Sequence, residues 1–542
     1  MPPEIPPDRH PSAAIDEQLN PLRNLVQAYG QLTGLDTNGN GFLSRRELDR
    51  GIADPRFHGD EAAALATLQR HRGEIKKLHQ DGANEITGLS RADVLELARF
   101  SRLEAMRLIA AGVPIFRSFD RDGSGNLSRE ELRTAARNLQ DGATKDAVQQ
   151  MLDDFAIISE NGDNITSAQV QNYVARRMTA EQQRTTTAVA GSMREAQTAI
   201  REQDPRLYRD ALSPFMAIRG DLLRQGRAGD CWLLSAVSSY AQQNPWAIPR
   251  MITRNENGTL TVNFPFRTPD GQPISATVQP PTQAEIARFA NNGSAGTWLP
   301  VIEKAIGQYF KDHPEQRRPL TGVDPPRRNH LLPQDHLHGA ANAFATSLVS
   351  GEAATTVSLS TLNDDQLDAV LRSNFRNPLT AISDSNWPRQ VGTAVRQPGR
   401  VRAGAPGEPI REPDKAPPER EPEREPQRER EPDIFPPRPE PRPPRPDMPE
   451  DPEDDGEGDD DDDDETKSDA HEFAILNYNS LDRVVTIRNP WGSGELTDPQ
   501  GRPRDGTDDG IMRLSLAEFR AYFTDLSGPA VAEYRRRASR RP

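Results

Sequence analysis

Cysteine is almost absent from this chain, because its 542 residues include only one, Cys231. A single thiol cannot form an internal disulfide, and it cannot build a cysteine-rich zinc site. It can serve as a small buried side chain or as a nucleophile. The sequence also lacks an apolar run of membrane-spanning length, and residues 1–7 lack the basic and apolar blocks of a secretory signal. We therefore expect a reduced, cytoplasmic setting, with export by a route that needs no such signal left open.

Apolar residues are also scarce, at 34% of the chain, whereas 48 residues are proline. Part of the chain is therefore expected to build no core. The net charge is −15, but residues 447–465 contain 14 acidic and no basic side chains. The remainder is close to neutral, so its charge does not indicate a nucleic-acid or membrane partner.

Composition and periodicity divide the chain into seven segments. Helical patterns such as 298–310 alternate with β-branched strands such as 260–264 in the first mixed segment. A later stretch is rich in Pro, Arg and Glu and ends in the acidic run, which predicts disorder. We predict a disordered N-terminus (1–20), a helical region with repeated loops (21–180), a helical linker (181–204), a mixed region (205–393), a disordered insert (394–469), a second mixed region (470–530) and a basic tail (531–542).

Two loops of the helical region, 36–47 and 120–131, share one pattern. Each has oxygen ligands at positions 1, 3, 5, 7 and 12 and glycine at position 6, which is the spacing of an EF-hand calcium loop. Weaker echoes at 88–94 and 164–170 predict an unoccupied partner hand for each loop, hence two pairs. The alternative is two Asx-rich turns that bind nothing. The predicted Ca²⁺ ligands are Asp36, Asn38, Asn40, the Phe42 carbonyl and Glu47 in the first loop, and Asp120, Asp122, Ser124, the Asn126 carbonyl and Glu131 in the second.

The single cysteine follows a glycine-rich turn over 225–230 and stands in the first turn of a helix predicted to extend to 242. A helix N-terminus presents free N–H groups and a partial positive charge, which lower the pKa of a nearby thiol. The position of Cys231 therefore favours a nucleophile over a buried core residue. Such a nucleophile needs a base and a group that orients the base.

A predicted hairpin over 471–489 supplies both groups. Its first half alternates like a strand, a short polar turn follows, and a β-branched strand returns. Pairing Tyr478 with Arg483 brings His471 beside Asn489. The amide oxygen of Asn489 can then accept a hydrogen bond from the imidazole and fix its tautomer.

Three motifs occur in order along the chain: Gln-Gly-x-x-Gly-Asp-Cys-Trp-x-Leu at 225–234, a histidine that opens a strand at 471, and Arg-Asn-Pro-Trp-Gly at 488–492. With further matches at 298–305 and 508–519, they resemble the catalytic domain of calpains, which are papain-like cysteine proteases. The resemblance covers about 205–530 apart from the insert. Animal calpains usually carry EF-hands after the protease, whereas here the hands precede it.

The resemblance implies an α+β papain-like fold and hydrolysis of peptide bonds through an acyl-enzyme. In that scheme Cys231 attacks the scissile carbonyl, His471 is its acid/base partner and Asn489 orients the imidazole. The side chain of Gln225, with the backbone N–H of Cys231, would hold the oxyanion. Calpain cores also bind calcium, but no segment of this sequence justifies assigning those ligands.

The sequence thus predicts a multidomain protein, in which an all-α EF-hand region of two pairs precedes an α+β calpain-type protease domain with a disordered insert. We expect a calcium-linked cysteine endopeptidase that acts on protein or peptide substrates, with no nucleic-acid partner and no membrane span. One alternative is a calcium-binding adaptor or pseudoprotease whose calpain-like domain only binds partners. Another is a transglutaminase-like acyl transferase, whose third catalytic residue is normally Asp. The substrate and the oligomeric state stay open.

Overall fold

The computed structural model describes residues 11–78, 88–226, 228–326, 330–339, 342–375, 377–383, 471–498 and 502–538. The predicted insert and the first ten residues lie outside this description. The helices are α1 (Ala13–Leu32), α2 (Arg45–Ala53), α3 (Asp60–Arg70), α4 (Arg72–Lys76), α5 (Arg91–Ala111), α6 (Val113–Phe119), α7 (Arg129–Asn138), α8 (Ala143–Asp153), α9 (Phe155–Ile158), α10 (Ser167–Ala175), α11 (Ala180–Glu202), α12 (Cys231–Gln243), α13 (Ala247–Met251), α14 (Gln283–Arg288), α15 (Trp298–Asp312), α16 (Pro314–Thr321), α17 (Asn342–Ser350), α18 (Asp364–Leu371), α19 (Leu516–Tyr522) and α20 (Pro529–Ala538). The strands are β1 (Phe42–Leu43), β2 (Leu89–Ser90), β3 (Leu127–Ser128), β4 (Asn164–Ile165), β5 (Ile252–Arg254), β6 (Leu260–Arg267), β7 (Pro273–Val278), β8 (Thr355–Ser358), β9 (Thr380–Ser383), β10 (Glu472–Asn479), β11 (Val484–Arg488), β12 (Ile511–Ser515) and β13 (Phe523–Gly528).

Helix α1 begins well inside the segment that the sequence predicts to be disordered, 1–20. That prediction is wrong from Ala13 onward, because α1 buries Ile15 and Leu19 in the core. Apolar residues recur every three to four positions along α1, so one face of the helix leaves water. The prolines that precede the helix dominate the composition of this segment and obscure its periodicity.

Helix α11 is an integral part of the helical region rather than a polar linker over 181–204. Its residues Val189, Ala190 and Met193 are completely buried, and the helix packs against α1, α3, α5 and α14. The predicted helix is present and contacts α14 of the next region, but the segment is wrong as a separate linker, because most of its neighbours belong to the helical region. Its small and apolar side chains fall on one face, which three neighbouring helices of the same region cover.

Each calcium-loop candidate contributes a two-residue strand that pairs with its weaker echo. Strand β1 pairs antiparallel with β2, and β3 pairs antiparallel with β4. The helix that follows each strand begins with a capping box, in which the N-cap hydroxyl and the third helical residue bind each other's backbone N–H. The N-cap residues are Ser44, Ser90, Ser128 and Thr166. These boxes fix where each helix begins relative to its loop.

Two antiparallel sheets follow the helical region, and their first strand begins at Ile252. Strands β5, β6 and β7 form one sheet, and the other has the order β12-β11-β10-β9-β13-β8. Glu472 of β10 pairs with Ile382 of β9, although the predicted insert separates them in sequence. The two predicted mixed regions, 205–393 and 470–530, therefore contribute strands to one sheet.

The hairpin of β10 and β11 has a different register from the predicted one. Tyr478 pairs with Val485 rather than with Arg483, and the register shifts between Ile475 and Asn477. Arg483 lies in the turn with a φ of 55°. Alternating apolar residues locate both strands, but alternation alone does not reveal an extra residue in one of them.

Helix α20 corrects the predicted basic tail, 531–542. Ala530 and Val531 are buried in the core of the six-stranded sheet, and the helix continues through the three exposed arginines that follow. The described part of this segment is basic and exposed at its arginines, and the predicted boundary differs only at Val531, which packs in the core.

One continuous hydrophobic core extends from Ile15 to Val349 and includes side chains of the helices in the predicted helical region and of α12, α15 and α17. A second core, from Val357 to Val531, belongs to the six-stranded sheet. The helical region and the first mixed region are thus packed together by shared apolar contacts. Among the described residues, no helix has the length and apolar character that crossing a membrane requires.

Candidate active site and calcium loops

Helix α12 lies against strand β10, and a polar stripe on the helix fixes their relative position. The side chains of Ser235, Ser239 and Gln243 donate to three backbone carbonyls of β10 at 2.9, 2.8 and 2.6 Å. These residues recur every four positions and therefore share one helix face. Cys231 precedes Ser235 by four positions and belongs to the same face. Its sulfur is therefore directed toward the start of β10, where Glu472 lies.

The thiol of Cys231 is partly exposed, yet protein atoms form most of its surroundings. Burial, together with the carboxyl groups of Glu472 and Asp230, raises the pKa of Cys231 to about 12. Hydrogen bonds from the backbone N–H groups of Glu472 and Trp232 oppose this shift. The predicted lowering of the thiol pKa by the helix N-terminus is therefore wrong, because loss of hydration outweighs the N–H groups.

The imidazole of His471 is held by Asn489 and covered by Trp491. The Nε2 atom of His471 lies 2.9 Å from the Oδ1 atom of Asn489. The ring of Trp491 stacks on the imidazole at 4.1 Å between centroids, and its backbone N–H donates to the same Oδ1 atom at 3.1 Å. Since the amide oxygen accepts, Nε2 carries the proton and Nδ1 keeps its lone pair. Nδ1 is thus the basic atom of the site.

Both reactive groups are neutral at pH 7. Burial lowers the pKa of His471 to about 4, and its hydrogen bond to Asn489 opposes this shift only in part. The thiol of Cys231, with a pKa of about 12, keeps its proton. The arrangement suits general-base catalysis, in which the proton leaves the sulfur as the sulfur attacks, rather than a preformed ion pair.

Gln225 joins the helix side of the site to the strand side. Its backbone N–H donates to the carbonyl of Pro490 at 2.7 Å. Its side-chain amide lies 3.1 Å from the backbone nitrogens of Asp230 and Cys231, and its oxygen accepts both N–H groups when it faces them. A half-turn of the amide places its NH₂ beside the N–H of Cys231, which is the donor pair an oxyanion needs. The structure thus joins His471 to Asn489 directly, and it connects Gln225 both to the Cys231 turn and to Pro490, the residue after Asn489.

Glu472 is a residue of this site that sequence reasoning missed. Its side chain is 2% exposed, and neither carboxyl oxygen makes a hydrogen bond to a described residue. The hydroxyl of Thr380 favours the ionised form slightly without reaching hydrogen-bond geometry. Burial dominates and raises the pKa of Glu472 to about 8. The only signal in the sequence that could have identified Glu472 was its position directly before the apolar run 473–476.

Replacing Glu472 with glutamine should stabilise the fold increasingly as the pH rises. The folded chain keeps the proton up to about pH 8, whereas an unfolded chain releases it near pH 4.5. The stability that this group contributes is therefore present below pH 4.5 and is lost as the pH rises through 8. Urea denaturation at pH 5, 7 and 9 should show an advantage for the variant that grows by about 1.4 kcal/mol per pH unit at most. An advantage independent of pH would contradict this, and Glu352→Gln, at an exposed carboxyl, is the control.

A pair of buried acids lies next to Cys231. Asp230 precedes α12, and its carboxyl group hydrogen-bonds to that of Glu303. Burial raises the pKa of Asp230 to about 6 and that of Glu303 well above its usual range. Two carboxyl groups that hydrogen-bond to each other retain a shared proton. Their remaining charge contributes to the raised pKa of Cys231.

The two calcium-loop candidates have the turns that their pattern requires. Gly41 and Gly125, at position 6, have φ values of 84° and 80°, a left-handed conformation that favours glycine. The position-1 carboxylates of Asp36 and Asp120 accept from the N–H groups of positions 5 and 6, at 3.1 and 2.8 Å in the first loop and 3.0 and 2.8 Å in the second. Each loop is therefore folded around its first carboxylate.

The position-12 glutamates close the loops. Glu47 and Glu131 each accept one backbone N–H from position 2, both at 2.8 Å, and one from the N-cap serine, at 2.9 and 2.8 Å. In the second loop, carboxylate oxygens of Asp120, Asp122 and Glu131 lie within 4.8 Å of one another. Carboxylate, amide and carbonyl oxygens of this kind fit the hard-ligand preference of Ca²⁺.

The second loop should bind calcium more tightly than the first. It offers three carboxylates among its predicted ligands, whereas the first offers two, and calcium affinity rises with ligand charge. Calorimetric titration of Asp120→Ala should therefore lose the tighter phase, and titration of Asp36→Ala should lose the weaker one. The reverse assignment would contradict the charge argument.

A further acidic cluster lies in the region after β11. Carboxylate oxygens of Glu495, Asp505 and Asp509 lie within 4.8 Å of one another. One oxygen of Glu495 accepts three consecutive backbone N–H groups, at 2.8, 2.8 and 3.2 Å, while burial raises its pKa to about 7. These oxygens could hold a divalent cation, although exposed acidic groups also cluster without one. The irregular spacing of the three residues gave sequence reasoning no ligand pattern to recognise.

Comparison with known proteins bears on the second calcium loop. A family model described as EF hand matches residues 113–135, which span α6, the whole loop and the start of α7. No curated protein is significantly similar to the chain. The match is short, and it gives the protease-like region no family. What the comparisons support is calcium binding through an EF-hand at residues 113–135.

Proposed function

We propose that this protein is a calcium-linked cysteine endopeptidase with Cys231 as its nucleophile. One observation carries the proposal: the thiol of Cys231 contacts the backbone of the residue that follows His471, although the two are distant in sequence. The sulfur of Cys231 accepts a hydrogen bond from the backbone N–H of Glu472, the residue after His471. On the other side, Gln225 binds the carbonyl of the residue after Asn489. The segments that carry the proposed nucleophile, base, orienting group and oxyanion donors therefore contact one another.

The proposed chemistry begins from a neutral thiol and a neutral imidazole. As the sulfur of Cys231 attacks the peptide carbonyl carbon, Nδ1 of His471 takes the thiol proton and a tetrahedral oxyanion forms. The N–H of Cys231 and the rotated amide of Gln225 donate to that oxyanion. The C–N bond then breaks, the imidazolium gives its proton to the leaving amine, and a thioester remains. Water, deprotonated by Nδ1, attacks the thioester and releases the acid and the thiol.

The finer proposal of a papain-like α+β protease domain rests on the motif order and on this arrangement. The nucleophile stands at the first residue of a helix, α12, and the helix packs on an antiparallel sheet. At one end of that sheet, His471 directly precedes β10 and Asn489 directly follows β11. Asn489 as the third residue also favours hydrolysis over transglutaminase-like acyl transfer.

The calcium-linked part of the proposal rests on contacts between the EF-hand helices and the protease-like region. Helices α2 and α3 pack against α14. The hydroxyl of Thr282 donates to the carbonyl of Ile52 at 2.5 Å, and the N–H of Gly59 donates to the side chain of Gln283 at 2.7 Å. Rearrangement of the EF-hand helices would therefore alter the contacts of α14.

Digestion of casein by the wild-type protein and by Cys231→Ser, each in calcium and in chelator, tests the proposal. We expect cleavage by the wild type, faster in calcium, and none by the variant. An electrophilic peptide analogue should modify one site, because the chain has one cysteine, and intact-protein mass spectrometry measures this directly. Cleavage by Cys231→Ser at the wild-type rate would reject the proposal.

The same assay separates the alternative functions. An adaptor or pseudoprotease would bind calcium but neither cleave casein nor react with the peptide analogue. An acyl transferase would react at the cysteine and then pass the acyl group to an added primary amine rather than to water.

A further inference from the structure

One stretch of chain, residues 330–339, contacts the first EF-hand at one end and the catalytic turn at the other. We call it the bridging segment. At its start, Nη2 of Arg45 lies 3.4 Å from Nδ1 of His330. Arg45 is the first residue of α2 and position 10 of the first calcium loop, which is not a ligand position. Nε2 of His336 bonds to the carbonyl of His330 at 3.1 Å, so the segment folds back on itself.

The middle of the bridging segment belongs to a buried charge cluster. Asp335 pairs with Arg288 of α14 at 2.8 Å, and both side chains are almost fully buried. Asp49 of α2 is also buried, and α2 packs against α14, the helix that carries Arg288. Displacing one member of such a cluster leaves a buried charge without compensation, which is costly. The positions of α2, α14 and the bridging segment are therefore mutually dependent.

The far end of the bridging segment contacts residues on both sides of the nucleophile. The indole N–H of Trp232 donates to the carbonyl of Leu337 at 3.0 Å. The ring of His338 lies against Gly229, where an added Cβ would be 2.6 Å from its Nδ1. The N–H of Gly339 donates to the carbonyl of Gly229 at 3.4 Å. Gly229 and Trp232 flank the Asp-Cys pair, so the segment determines where the sulfur lies.

The bridging segment is also held rigidly from behind. The buried guanidinium of Arg317 donates to the carbonyls of His336, His338 and Gly339, the last at 2.7 Å. Gly307 of α15 lies so close to the segment that a Cβ there would be 2.3 Å from the carbonyl oxygen of Pro333. A segment packed this tightly does not absorb a displacement at one end, but passes it to the other.

We propose that the bridging segment positions the catalytic turn and makes that position depend on the first EF-hand. The inference rests on the proposed function, since it concerns the turn that presents the nucleophile. The reactivity of Cys231 then differs between the protein with calcium in the first loop and the protein without it. Coupling between two sites is reciprocal, so the calcium affinity of the first loop also depends on whether the catalytic site is blocked.

The test compares Arg45→Ala with Arg46→Ala in the full chain. Both variants lose one positive charge from the first loop, but Arg46 is exposed whereas Arg45 contacts the bridging segment. Modification of Cys231 by iodoacetamide is followed in calcium and in chelator. We expect calcium to change the rate about tenfold in the wild type and in Arg46→Ala, within the usual range of allosteric coupling. The change should fall to less than about threefold in Arg45→Ala.

Two further measurements complete the test. Trp232→Phe keeps an aromatic ring but removes the N–H that binds the bridging segment. It should therefore weaken the calcium response by loosening the end of the segment that contacts the catalytic turn. Calorimetry should show that blocking the cysteine changes calcium affinity at the first loop in the wild type but not in Arg45→Ala. A wild-type labelling rate that ignores calcium, or an Arg45→Ala protein with the full response, would overturn the inference.

These outcomes are separable from failure of the proposed function. A calcium-dependent labelling rate in a protein that cleaves no peptide would leave the coupling intact and reject the protease. Peptide cleavage with a labelling rate and a calcium affinity that ignore each other would leave the protease intact and reject the coupling.

Discussion

Replacing His471 with alanine should lower kcat for peptide cleavage by about 10³-fold or more, because single losses from catalytic triads have effects of at least this size. The physical reason lies in the thiol, whose pKa of about 12 leaves almost no thiolate at neutral pH. Without the Nδ1 atom as base, the sulfur attacks only in its rare ionised form. Single-turnover kinetics with a fluorogenic peptide measure the effect.

The pH profile distinguishes this loss from a merely structural one. In His471→Ala the rate should rise about tenfold per pH unit in alkaline solution, because hydroxide then supplies the thiolate. The matched control is His313→Ala, which removes an exposed imidazole that lies 3.5 Å from Glu315. The control should keep wild-type kinetics. A His471→Ala protein within tenfold of wild type, or one with a flat profile, would contradict the assigned base.

Replacing Gly226 with alanine should lower kcat by about 10²-fold, which is the cost expected of a displacement near 1 Å in an active site. A Cβ at this position would lie 2.4 Å from the carbonyl oxygen of Arg288 and 2.4 Å from the carbonyl carbon of Phe289. Backbone atoms cannot rotate away, so the turn itself must shift. Gln225, which directly precedes Gly226, would move with the turn, and the proposed oxyanion donors would no longer be aligned.

The same substitution should lower stability by about 1–3 kcal/mol, the usual cost of overpacking. Gly191→Ala is the matched control, since a Cβ at this helical glycine meets nothing within 4 Å, and it should not lower the melting temperature. Circular dichroism and calcium titration establish whether Gly226→Ala still folds. A folded Gly226→Ala protein with wild-type kcat would show that the turn tolerates the shift.

The sequence predicted the contact between His471 and Asn489 correctly even where its structural reasoning failed. The predicted register of the hairpin is wrong, because the turn occupies residues 480–483 and pairs Tyr478 with Val485, and a bulge in β10 then shifts the register by one position. His471 and Asn489 nevertheless meet, since both lie near the open end of the hairpin, where a shift of one or two positions still leaves their side chains within reach.

Segment boundaries were less predictable than motifs. The segments predicted as a disordered N-terminus, a helical linker and a basic tail each contain helix that buries at least one apolar residue. Composition averages over a window, so one apolar face along a polar helix is easily lost in it. Whether such a face is covered depends on distant elements that local composition does not describe.

The sequence by itself determined what is local. The ligand spacing of the calcium loops, the glycines at their sixth positions and the placement of Cys231 at the start of a helix all follow from neighbours along the chain. Only the tertiary structure decided the protonation of the site, because desolvation of Cys231, His471 and Glu472 depends on every element packed around them. The same holds for the bridging segment, whose contacts join residues of three separate elements that no spacing rule connects.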